Sequence, residues 1–549
     1  MATTNGKSPR RYGWCVALLV GAAAGFAGAG CGSRKNPRPD EPGAASAAPT
    51  ASAALASQVE WAPEERRKAE EEGRAVLLKH QCNRCHEIED LPAAARPLHC
   101  TSCHVFLKGL KPEGRQYKEI DAKYGEGLMA RYQKKIVHLE QVPSLTQIAR
   151  RVRTDWLRGF LAEPYDLRPA LEESMIRHRL SEAEIRSVVR YLAARSSAAD
   201  PYAPGYTPPA LPSRPDATRI EEGKKLYVGR GCASCHQYGN LDLGLSGELL
   251  KKAGPPAKLA PNLRFVRERT HPEVLLDWMM DPQRIAPGTL MPALGLSRAD
   301  AEKIRDFLLW ADPALDTRPW PEPQLPPAVD RPVTYEEMKE EVLGHVCVHC
   351  HMNDFEKDDG PGNRGGFGYQ GSQLAMRTYE ALVNGAMDAQ GKRYSVLVPR
   401  PGESIPPILQ SMLRRRAEEA RDHLEPGQDR ARPPYPKDGP PGMPLGLPSM
   451  TDAQFGILRA WIEQGCPGPT RVTGRDYVME KGVKTAVNDG FLVPDGPLKK
   501  NKGCELRGPE SPRPTWSYEH NAAALGAASA SASASGSARP SAAPAASRP

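Results

Sequence analysis

Phenylalanine is scarce in this chain, with nine copies among 549 residues, and all aromatics together reach only 6%. So thin a supply excludes one large aromatic core. It suits small folded parts, which bury too little surface to be stable unaided and need something further to fill their centres. An excess of one charge is also missing: 74 basic residues are interspersed with 66 acidic ones, and the net charge of +8 forms no stripe of the kind a nucleic acid would select. Nucleic acid is therefore not an expected partner. A large central sheet is disfavoured as well, because 55 prolines and 49 glycines favour long irregular connections. What the chain does have in number is cysteine, with twelve copies.

The first residues read as delivery, not fold. No charge occurs from Tyr12 to Ser33, and Arg10 and Arg11 stand just before, which is the order of an export signal over 1–30. The stretch ends Gly28, Ala29, Gly30, Cys31, which resembles the lipobox of bacterial lipoproteins and implies that Cys31 is lipidated. An uncleaved membrane anchor is the other reading of this segment. Residues 31–59 and 521–549 are rich in alanine, serine and proline, and read as a disordered tether and a disordered tail. The expected location is the periplasmic side of the cell envelope. Gly32 does not resemble an inner-membrane retention signal, which points to the outer membrane.

Eight cysteines fall into four C-x-x-C-H frames: Cys82, Cys85 and His86; Cys100, Cys103 and His104; Cys232, Cys235 and His236; Cys347, Cys350 and His351. From these cysteine and histidine frequencies, on the order of 0.006 chance matches are expected in the whole chain. On a helical turn, positions i and i+3 point the same way, so two thiols can bond the two vinyl groups on one edge of a haem. The histidine at i+4 then reaches the iron as its proximal ligand. A zinc ribbon is the rival reading for the closely spaced Cys82, Cys85, Cys100 and Cys103, and a disulfide within each pair is a third. Haem attachment at all four frames gives an expected cofactor count of four haem c.

Similar segments follow three of the motifs. Met175 precedes Ser181 and Glu184, which have capping-box spacing, and then Ile185, Val188, Val189 and Leu192 at helical spacing. Met291 precedes Ser297 and Asp300, then Ile304, Phe307 and Leu308; Met443 precedes Thr451 and Gln454, then Phe455, Leu458 and Ile462. Each unit reads as an N-terminal helix, the motif, a proline-broken loop with a methionine, and an amphipathic helix. With P-G-T-L-M-P around Met291, this arrangement resembles class I cytochrome c, and P-P-G-M-P around Met443 resembles related bacterial cytochrome domains. The resemblance implies a mainly α chain of three tandem small domains. They are a dihaem domain over 60–198 and monohaem domains over 216–313 and 334–470, followed by an extension over 471–520. It also implies that Met175, Met291 and Met443 supply sulfur to the far side of the iron, with His178 as rival to Met175. Met279 and Met280 are expected in the core.

The motif at Cys100 has no unit of its own. His99, His345 and His349 read as local to their own motifs, so His138 is the expected second ligand, with an open or water-filled site, or His178, His80 or another histidine, as the alternatives. Cys466 and Cys504 lie outside the frames and are expected to pair in an oxidising compartment. The expected function is an exported, membrane-tethered tetrahaem electron carrier serving membrane-associated redox partners, and not an enzyme. The alternative is a haem enzyme or oxidoreductase subunit with an open haem at Cys100 to His104.

Overall fold

The computed structural model describes residues 60–94, 99–124, 127, 129–130, 133, 142–171, 175–178, 180–244, 254–318, 322–351, 368, 372–376, 379–388, 390–422, 441–468, 477–480, 483–486 and 504. All of them belong to the unit spanning 49–549. The expected signal, Cys31, the tether, the tail and His138 lie outside the described residues. Helix predominates, as composition and spacing predict.

Around the first motif, α1 (Pro63–Lys79) opens with proline and carries Glu64 and Glu65 in its first turn, which suits the positive end of a helix. The second motif begins α2 (Cys100–Gly109), followed by α3 (Arg115–Tyr124) and α4 (Thr154–Ala162). The last helix of this region, α5 (Glu182–Arg195), starts with a full capping box: Ser181 accepts from the Glu184 N–H, and the Glu184 carboxylate accepts from the Ser181 N–H at 2.8 Å. Its predicted apolar face is buried, with Ile185, Val188, Val189 and Leu192 packing on Leu77 of α1. Where α1 meets α5, a β carbon on Gly73 would stand 2.3 Å from the Tyr191 Cβ. Only hydrogen fits there, and so the two helices touch.

The same device recurs in the second region. Asp216 caps α6 (Ala217–Gly229), which precedes the third motif; α7 (Pro272–Met280) and α8 (Arg298–Trp310), capped by Ser297, complete the region. A β carbon on Gly223 of α6 would stand 2.0 Å from the Lys303 carbonyl oxygen of α8. Tyr227 and Tyr238 pack on Phe307, at ring separations of 5.4 and 5.0 Å, and Met279 is buried with Met280 packed beside it.

The third region departs from the predicted plan ahead of its motif. A short α9 (Tyr335–Met338) runs into a π-helical stretch, Lys339–Cys347, and not into a straight helix. Gly73 and Gly223 each stand nine residues before the first motif cysteine; in the third region that position is Met338, which is fully buried. A side chain of that size holds neighbouring elements apart, so no glycine crossing forms. The region adds a two-residue ribbon, β1 (Ala386–Met387) with β2 (Arg393–Tyr394), then α10 (Pro407–Asp422) and α11 (Asp452–Glu463). Tyr335, Tyr379 and Trp461 fill its centre, and Thr451 with Gln454 forms the second capping box. A further antiparallel ribbon joins β3 (Tyr477–Glu480) to β4 (Val483–Ala486).

Among the described residues, three large hydrophobic clusters result, one per region, with a small one of Cys103, Leu107 and Met129 around α2 and a pair, Ala375 and Ala381. The first region touches both of the others. Arg153 N–H donates to the Arg269 carbonyl at 2.8 Å, beside a bridge between Val152 and Thr270, and Arg177 pairs with the buried Glu418 at 3.0 Å. Among the described residues, no helix is long and apolar enough to cross a membrane.

Candidate cofactor-attachment sites

One helical turn builds each of three motifs. The backbone N–H of His86, His236 and His351 donates to the carbonyl of Cys82, Cys232 and Cys347 at 2.9, 3.0 and 2.9 Å, which sets thiols and imidazole on one turn. Gln81 and Gly231, with φ of 55° and 81°, swing the chain into the first and third motifs. In the second motif Cys100 opens α2, and the Cys103 N–H donates to the His99 carbonyl at 2.9 Å.

The eight motif thiols form no disulfide, whereas Cys466 and Cys504 are bonded to each other. Among the described residues, no group of three or more histidine, cysteine or acidic side chains is gathered to hold a metal ion. Cys82, Cys85, Cys100 and Cys103 therefore do not converge as a zinc ribbon demands.

Three imidazoles are held by a shared strap. His86 Nδ1 lies 2.8 Å from the Pro143 carbonyl oxygen, His236 Nδ1 2.9 Å from that of Pro261, and His351 Nδ1 3.2 Å from that of Leu374. A carbonyl only accepts, so Nδ1 must carry the proton and Nε2 keeps the lone pair that binds a metal. Two residues further along, each strap bonds back to its motif: Leu145 N–H to the Glu87 carbonyl, Leu263 N–H to that of Gln237 and Met376 N–H to that of His351, all at 2.8 Å. Sequence reasoning missed these straps; the repeated P-x-L of Pro143 to Leu145 and Pro261 to Leu263 was the available signal. In the third region the strap reads L-A-M, and Gly368 covers the imidazole face, where a β carbon would stand 2.6 Å from His351 Nε2.

Burial lowers His86 and His236 below the ordinary imidazole value and takes His351 down to about 4, so all three are neutral at pH 7. Burial likewise raises the thiols of Cys82 and Cys347 to about 12 and those of Cys232 and Cys350 to about 11. Cys85 and Cys100 differ because their sulfurs share a hydrogen bond. That bond raises Cys85 and lowers Cys100 to about 6, with Arg84 assisting the latter. Two unbridged thiols beside one neutral imidazole with Nε2 available is a donor set that fits haem c.

The candidate second ligands lie in loops. Met291 is half-buried, and its sulfur accepts from Trp278 Nε1 at 3.0 Å. Met443 is half-buried, with its N–H on the Ser411 carbonyl at 2.9 Å, and Met175 is half-buried ahead of α5. His178 packs against His80 with ring centres 5.9 Å apart, and burial, then the nearby His80 and His86, takes its imidazole down to about 4.

The sites are not evenly spread. Arg84, only 1% exposed, donates to the Gln81 Oε1 at 3.0 Å, and its charge acts on Cys85 of the first motif, Cys100 of the second, and His349 and Cys350 of the fourth. His349 is thus not confined to its own motif, as sequence spacing suggested: its ring centre is 6.3 Å from that of His104. The chain brings these two together across 245 residues, a separation that no local reading spans.

Residues 220–312 match the family model for cytochrome c. No curated protein and no solved structure matches the chain. The stretch that holds Cys232, Cys235, His236 and Met291 is thus similar to cytochrome c, a family that binds haem c covalently and transfers electrons with it.

Proposed function

We propose that this protein is an exported, membrane-tethered electron carrier with four haem c groups, on the thiol pairs of Cys82, Cys100, Cys232 and Cys347. The observation that carries this reading is the strap. The motifs at Cys82 and Cys347 hold their imidazole by Nδ1 on a backbone carbonyl, as the family-matched motif at Cys232 does. Bound haem supplies one-electron chemistry at iron. The chain does the rest: paired thiols retain the group, and the strap fixes the tautomer and aim of the His86, His236 and His351 imidazoles. Met291, Met175 and Met443 are the residues that would supply thioether sulfur to the iron in the three units over 216–313, 60–198 and 334–470. Thioether ligation favours the reduced iron and so raises the potential.

Cys31 carries the lipid, and the tether of 31–59 lets the folded units search for redox partners near the membrane. Intact mass and a pyridine haemochrome spectrum of protein matured in a host that attaches haem c test the count. Four haems per chain are expected; a colourless or zinc-loaded chain overturns the reading. Membrane fractionation of the Cys31→Ser variant tests the anchor, with release into the soluble fraction expected.

A further inference from the structure

We propose that His349, the second residue between the paired cysteines of the fourth motif, is the axial ligand opposite His104 at the haem on Cys100 and Cys103. The inference rests on the four-haem reading and assigns a ligand within it.

His349 cannot serve its own motif. On the turn from Cys347 to His351 it sits two residues after Cys347 and two before His351. At about 100° per residue it points to the side opposite both. It is aimed instead at α2, where its ring centre lies 6.3 Å from that of His104 with 43° between the planes. Two imidazoles bound to one iron, each by a bond of about 2 Å and with the ring centre about 1.2 Å beyond its nitrogen, have centres about 6.4 Å apart. The observed spacing matches that requirement. The second and fourth motifs lie side by side there, since the buried Arg84 guanidinium neighbours Cys100, His349 and Cys350. One turn of chain from Cys347 to His351 then holds one haem by its thiols and His351 and completes the coordination of another through His349.

The consequence is a bis-histidine haem, lower in potential than a histidine–methionine haem and closed to small ligands. The test uses the full-length, haem-loaded protein. Near-infrared magnetic circular dichroism of the wild-type ferric protein is expected to show a bis-histidine band, with no high-spin haem and no carbon monoxide binding on reduction.

In His349→Ala, with the haem count held at four by mass, one haem equivalent becomes high-spin and binds carbon monoxide, and added imidazole restores the low-spin spectrum. His138→Ala is expected to leave the spectrum unchanged. The assignment is overturned if wild type lacks a bis-histidine band, if His349→Ala with four haems stays fully low-spin, or if His138→Ala opens the site. A wild-type chain with no haem at Cys100 overturns the four-haem reading as well, so the two failures are distinct.

Discussion

The regions around Cys232 and Cys347 hold the same five-residue motif on different supports. Ahead of Cys232, α6 crosses α8 at Gly223 with no room for a side chain; ahead of Cys347, a π-helical stretch follows a buried Met338, and the described residues form no such crossing. Yet both imidazoles hang from a carbonyl by Nδ1, and both straps return a second bond two residues later. What the two regions share is the motif turn and its strap. The helix crossing belongs to the scaffold and can be exchanged for another packing.

The largest expected effect breaks the crossing. Gly223→Ala and Gly73→Ala each push a β carbon into the facing helix, 2.0 Å from a backbone oxygen and 2.3 Å from the Tyr191 Cβ, which side-chain rotation cannot relieve. A loss of about 3 kcal/mol or more is expected in denaturant unfolding. Gly456→Ala in α11, where the nearest atom would be 3.0 Å away, should cost about 1 kcal/mol or less. Equal losses at all three would erase the distinction between scaffolds.

Next comes the disulfide, the one bridge among the described residues, which closes a separation of 38 residues between Cys466 and Cys504 of the third region and its extension. The double serine variant should lose about 2–4 kcal/mol in that region's unfolding transition and leave the Cys232 region unmoved. Smaller still is Tyr227→Phe. Its hydroxyl donates to the His236 carbonyl at 2.9 Å, so removing it should cost about 1 kcal/mol and perturb only the haem at Cys232, read by that haem's absorption during unfolding.

The smallest effect concerns the caps. Glu184 of α5 is held down to about 2: burial alone would raise it, but hydrogen bonds from Lys79, His80 and Ser181 outweigh that. A carboxyl lower in the folded state than in the unfolded one adds stability above its unfolded value, and that stability is lost as pH falls through the folded value. The α5 N-terminus should therefore loosen between pH of about 4.5 and about 2, read by amide exchange. The α11 cap uses Gln454, which does not titrate, and should hold over the same range.

Much of this was legible locally. The capping boxes at Ser181 and Thr451, the buried faces of α5, α8 and α11, and the motif turns all depend on residues within four or so positions of each other, and spacing alone reveals them. The third region's π-helical entry was not legible, because it follows from what Met338 packs against and not from any pattern in its own segment. Nor was the strap, whose carbonyl comes from 57 residues away for His86 and 23 for His351, and a backbone carbonyl carries no side-chain signature.

The amino-acid order alone determined which residues can attach a cofactor, since thiol, thiol and imidazole must share one turn and a turn is written in five consecutive letters. Only the tertiary structure decided which motifs become neighbours. Arg84 neighbours parts of three of them, and His349 lies beside His104, through long-range packing that buries a guanidinium and sets together two half-buried rings whose positions along the chain carry no trace of the encounter.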